Sequence, residues 1–155
     1  MNKFLGFLLV LGIGAGALYY FKPGLFVEVP TERMAKTALA DVVADQSKDV
    51  VIELFQKTDG QDRTDDAGVR RYNIDYKCVA KFKKDTMWRF RASAFETTDP
   101  LPEKASRKER KAAEVRLAGK KLAKAGETVV LKGSVEFESK ESGWVVSGVR
   151  LALDR

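Results

Sequence analysis

Apolar and polar positions divide this chain into one uncharged block and a patterned remainder. The block is Phe4 to Phe21, FLGFLLVLGIGAGALYYF, eighteen residues without a charge or a proline. At about 1.5 Å per residue a helix of that length is roughly 27 Å long, close to the hydrocarbon thickness of a bilayer, and predicts a single transmembrane helix. Lys3 and Lys22 flank it, and Tyr19, Tyr20 and Phe21 crowd its far end, where aromatic rings favour the interface. The pair Ala15 and Ala17 before Leu18 also fits a signal-peptidase site, so cleavage of residues 1–17 is the rival reading to an uncleaved anchor. Gly12 and Gly16 have the GxxxG spacing that lets two membrane helices pack closely.

Beyond Lys22 the periodicities change. Pro23-Gly24 breaks the run, and Leu25 to Val29 predicts a short strand or a juxtamembrane linker ending at Pro30. Thr31 is a candidate cap for a helix over Glu32 to about Ser47, whose apolar residues Met34, Ala35, Ala38, Leu39, Val42 and Val43 fall on one helical stripe. A strand is predicted within Asp49 to Lys57, and the acidic tract Thr58 to Gly68 reads as a solvated hairpin loop. Its four aspartates do not have the spacing of a calcium-binding loop. Val69 to Phe82 then alternates, with Tyr72, Ile74, Tyr76, Cys78, Ala80 and Phe82 on one face and Arg71, Asn73, Asp75, Lys77 and Lys81 on the other. Met87 to Phe95 reads as one strand, with Trp88 and Phe90 on one face and Met87, Arg89, Arg91 and Phe95 on the other.

Ser106 and Glu109 spell a capping box, and Ala112, Val115, Ala118, Leu122 and Ala125 predict one helix from about Ser106 to Ala125. Val129 to Phe137 and Trp144 to Leu153 form the clearest predicted hairpin. Together these predict an α+β domain, a curved antiparallel sheet of about five strands with two helices, one of them packed on the sheet. The arrangement is similar to cystatin and nuclear-transport-factor architectures, a likeness of fold that implies nothing about activity. The organisation read from the chain is an anchor over residues 1–22, a linker over 23–30 and one domain over 31–155.

Composition narrows the chemistry. The chain has no histidine, which removes the commonest general base and transition-metal ligand, and its one cysteine excludes an intrachain disulfide. Cys78 falls on the inward face of its strand, where a thiol is a small hydrophobe. No glycine-rich phosphate loop or metal-spaced cluster is present, and residues such as Glu53, Asp75 and Arg89 do not define a catalytic set. The expectation is a protein without catalytic activity, cofactor or metal.

The net charge is +6, and residues 103–126 hold nine basic against three acidic side chains. Lys104, Arg107, Lys108, Arg110, Lys111, Arg116, Lys120, Lys121 and Lys124 make this the candidate surface for an anionic partner. Cations in the first turns of a helix oppose its dipole, so helix stability does not explain them. The functional expectation is a binding or assembly module of a bacterial-type envelope, anchored in the inner membrane with its domain in the periplasm. It would act through other envelope proteins or self-association. The alternative is a domain facing the cytoplasm, whose basic helix binds anionic lipid or nucleic acid.

Overall fold

A computed structural model describes residues 28–154. The apolar run Phe4 to Phe21, with Gly12 and Gly16, lies outside the described residues, as does most of the predicted linker. The domain is α+β, with two helices and seven antiparallel strands in two sheets.

Helix α1 (Glu32–Gln46) begins where Thr31 Oγ1 accepts a hydrogen bond from the Met34 amide at 3.3 Å, satisfying a donor that the first turn leaves free. Its buried stripe is Ala35, Leu39 and Val43, while Met34 stays exposed. Strands β1 (Val50–Thr64), β2 (Arg70–Phe82), β6 (Thr128–Lys140) and β7 (Gly143–Leu153) form the larger sheet in the order β1-β2-β6-β7. The predicted inward row of β2 is buried from Tyr72 to Phe82, and Leu131, Val135 and Phe137 of β6 extend it across the sheet. Helix α1 packs on this face. Cys78 is buried opposite Leu131, in the inward position that alternation assigns to it.

Gly133 faces Tyr76, and a Cβ there would lie 1.9 Å from the Arg150 carbonyl oxygen. Only glycine leaves room for the Tyr76 hydroxyl to donate to that same oxygen at 3.0 Å.

Strand β1 runs through most of the tract expected to be loop, leaving a short turn at residues 65–69. Gly60 pairs with Ile74 and Asp62 with Tyr72, so backbone ladder bonds extend β1 where its side chains carry no apolar alternation. Register shifts between Ile52 and Leu54 and between Lys57 and Asp59 interrupt the alternation further.

The expected single strand Met87 to Phe95 is a hairpin, β3 (Thr86–Arg91) and β4 (Ala94–Thr98), turned at Ala92 and Ser93 with φ of 50° and 61°. The turn reverses the chain and pairs Phe95 with Phe90, so Phe95 joins Trp88 and Phe90 instead of facing away. Strand β5 (Lys121–Ala123) pairs with the other edge of β3, giving the smaller sheet β4-β3-β5.

The two sheets are one bent ribbon. Phe82 donates its amide to the Glu127 carbonyl at 2.9 Å and accepts from the Gly126 amide at 2.8 Å, so β2 leads into β3 alongside the segment that joins β5 to β6. Asp85 pins the bend, one carboxylate oxygen accepting from the Ala125 amide and the other from Lys124, each at 2.9 Å. Inside it Phe82 packs on Trp88 at 5.2 Å and edge-on to Phe95 at 6.3 Å.

Candidate functional site

The region of concentrated positive charge is the connection from β4 to β5. Helix α2 (Arg107–Leu117) occupies its middle and carries the expected capping box, with the Glu109 amide donating to Ser106 Oγ at 3.3 Å and the Ser106 amide to Glu109 Oε2 at 2.7 Å. The Ser106 bonds hold the Glu109 carboxyl below its usual range. Arg110 braces the preceding loop by donating to the carbonyls of Ala105 at 3.1 Å and Glu103 at 3.3 Å.

The helix is shorter than expected. Gly119 adopts φ of +72°, the left-handed conformation that ends a helix, and the chain then enters β5. Lys120, Lys121 and Lys124 therefore leave the helix: Lys120 lies in the turn, Lys121 in β5 and Lys124 at the bend. Lys104 precedes the helix, and Arg107, Lys108, Arg110, Lys111 and Arg116 remain on it. The expected apolar stripe is also revised. Ala113 is the helix's buried residue, resting in a shallow groove with Leu101 and Pro102, whereas Val115 is 87% exposed. Helix α2 is thus an arm held by its own caps and a loop, with little share in the core.

Ion pairing separates the arm from the sheet. On the sheet, Arg71 pairs with Glu136 at 2.9 Å and with Asp65, Lys81 pairs with Glu53 at 2.7 Å, and Lys77 and Lys132 flank Asp154 at 2.8 and 3.0 Å. Arg70 pairs with Asp62, and its guanidinium lies over the Trp144 ring. The two lysines hold the Asp154 carboxyl below its usual range. Of the nine basic positions of the arm, only Lys124 has a carboxylate partner among the described residues, and that partner is Asp85 at the bend. Lys104, Arg107, Lys108, Lys111, Arg116 and Lys121 are exposed and form no ion pair among the described residues, Arg116 feeling Asp99 only at longer range, and Lys120 is half-buried.

Chemistry elsewhere is sparse. Glu53 is engaged with Lys81, Asp75 accepts from Asn73 at 2.8 Å and Arg89 pairs with Glu96, on separate elements and facing no common point. Among the described residues no group of three His, Cys, Asp or Glu is arranged to hold a metal ion. A hollow of about 480 Å³ on the outer sheet face is lined by Gln61, Arg63, Arg71, Asn73, Glu136 and Arg150. Its charges are mixed: Arg71 pairs with Asp65 and Glu136, Arg63 donates to Gln61, and Arg150 has no carboxylate partner among the described residues. Burial pushes the Cys78 thiol up to about 12.

The arm and the start of the domain lie at opposite ends of α1. At its beginning the Trp144 indole nitrogen donates to the Glu28 carbonyl at 2.6 Å. At its end Gln46 accepts from the Phe95 amide at 3.1 Å, and Ser47 bonds Thr97 at 2.8 Å, both on the strand that leads into the arm. The helix has 15 residues and so separates these poles by about 22 Å.

Among the described residues no helix is long and apolar enough to cross a membrane. In comparisons with known proteins the chain matches no family model, no curated protein and no solved structure.

Proposed function

We propose that this chain is a membrane-tethered binding module of a bacterial-type envelope that works by contact and not by catalysis, and that its cationic arm is the docking surface for an acidic protein. The observation that carries the reading is the contrast in pairing. Seven cations of the sheets, Arg70, Arg71, Lys77, Lys81, Arg89, Lys132 and Lys140, have carboxylate partners within the fold, and Lys57, Arg63, Arg91 and Arg150 stand singly among them. Those of α2 form no ion pair among the described residues and are gathered on one short segment. The arm also adds little to the core, and cations in its first turn oppose the helix dipole. Solubility alone does not require such concentration on one short segment, and an acidic surface would neutralise it. The apolar run of Phe4 to Phe21 supports the tether.

The test is capture from detergent-solubilised membranes with the full chain and with a variant carrying Arg107→Glu, Lys108→Glu and Lys111→Glu. These side chains are exposed and unpaired, so the reversal leaves the fold intact. The wild-type chain should retain an acidic protein that elutes as salt rises, and the variant should lose it. Equal capture by both chains would overturn the reading. The facing of the domain is decided by Asp66→Cys in a Cys78→Ala background, probed in intact cells with a membrane-impermeant maleimide that crosses only an outer membrane. Labelling before lysis supports the envelope-facing module. Labelling only after lysis makes the same unpaired cations a surface for nucleic acid or anionic lipid.

A further inference from the structure

The pole opposite the arm has a surface of another kind. Trp144 holds Glu28 by its indole nitrogen, and the apolar side chains about this junction are Val29, Met34 in the first turn of α1, and Val146, which shares the inner face of β7 with Trp144, with Val145 at the same strand end turned to the outer face. Their exposures are 43%, 37%, 41% and 41%. They are four of the nine large apolar side chains that the described residues leave exposed. The others are divided between the outer sheet face, with Val51, Leu54 and Val130, and the arm, with Val115 and Leu122.

Charge around the junction is net acidic. Arg33 stands beside Glu32, Arg70 is paired with Asp62, Arg71 with both Asp65 and Glu136, and Lys140 with Glu138, while Glu28 and Glu141 have no cationic partner among the described residues. The pole therefore combines tryptophan and valine, side chains that suit the boundary between lipid head groups and hydrocarbon, with an excess of carboxylates around them. It does not attract an anionic surface as the arm does.

Six residues, Lys22 to Val27, separate the apolar run from Glu28. At the maximum reach of about 3.4 Å per residue they span no more than about 20 Å. We infer that this pole, through Trp144, Val146 and Val29, seats in the interfacial zone of the bilayer that holds the chain's own apolar run, so that the domain stands with its cationic arm directed away from the lipid. The inference rests on the tether reading. The short connection keeps the pole at the surface, and apolar burial together with the amphipathic indole favours its insertion.

The experiment uses the full chain reconstituted in vesicles of zwitterionic phosphatidylcholine. With Trp88→Phe, Trp144 is the single tryptophan, and nitroxide-labelled lipids report its depth. A label near the head groups should quench Trp144 strongly and a label at the chain ends weakly, with no change as salt is raised. Because Trp88 belongs to the aromatic core, a second measurement keeps both tryptophans. A polarity-sensitive fluorophore is attached at Ser142→Cys, on the hairpin tip beside Trp144, or at Lys108→Cys on the arm, each with Cys78→Ala. Emission should shift to the blue at position 142 and stay unshifted at position 108.

A chain that floats with the vesicles while Trp144 remains unquenched and position 142 unshifted overturns the seat and leaves the tether standing. Equal shifts at both positions overturn the upright orientation. A chain that does not float with the vesicles overturns the tether and the seat together.

Discussion

Cys78 and Tyr76 lie two residues apart on the buried face of β2, and burial raises the ionisation of both above the ordinary range. The consequence for stability has a definite sign. A neutral thiol buried in the fold contributes stability that is fully present below its ordinary value of 9.0 and is lost as pH rises toward about 12. Tyr76 acts in the same direction, since its hydroxyl must remain protonated to donate to the Arg150 carbonyl. Alkaline titration of stability by chemical denaturation should therefore fall above the ordinary thiol value and fall less steeply with Cys78→Ala. The same burial makes the thiol inert, so a thiol reagent at neutral pH should modify Cys78 only at the rate of unfolding. Immediate modification of the folded chain would contradict the burial described here.

At the scale of elements, the β3–β4 hairpin is tighter than its residues favour. Ala92 and Ser93 both adopt positive φ, which two-residue hairpin turns require and which asparagine and glycine accept at less cost. Replacing Ala92 by Asn and Ser93 by Gly should stabilise the domain by about 1 kcal/mol, measured by thermal or denaturant unfolding. The same turn explains why this hairpin was not legible in the sequence. Strand β2 was legible because one face is buried and the other wet, and α1 because Ala35, Leu39 and Val43 lie on one stripe. Ala92-Ser93 carries no turn signal, so the alternation through it read as one strand. The second half of β1 had no apolar period to read, because backbone pairing with β2 extends it. Gly119 held the helix-ending signal within a run whose stripe pointed on to Gly126. Of the candidate site, the charge was legible and its division among loop, helix, β5 and bend was not. The Trp144 pole depends on a contact with Glu28 that no local pattern encodes.

For the whole molecule, the arm is set apart from what holds the fold together. Strands β4 and β5 flank β3, with Thr98 opposite Met87 on one side and Leu122 opposite it on the other. The ends of the arm are therefore held two strand spacings apart, about 10 Å, independently of the residues between them. Replacing residues 101–118 by a short glycine–serine linker should leave the unfolding midpoint within a few degrees of wild type, because Ala113 is the one buried side chain of α2. The same variant should lose capture of the acidic partner. A chain that fails to fold without the arm would show that α2 supports the core after all.

The bent ribbon has a further consequence for how the chain finds its shape. Hairpins β1–β2 and β6–β7 close over short turns, whereas β2 meets β6 only after the chain has passed through residues 83–127. That excursion contains β3, β4, the arm and β5. Joining the two hairpins carries the largest loop-closure cost among these pairings, yet this cost grows only with the logarithm of loop length, about 0.6 kcal/mol per doubling. The penalty for carrying the arm inside the closing loop is correspondingly small, so its length and charge are open to change during evolution at little expense to assembly of the sheet.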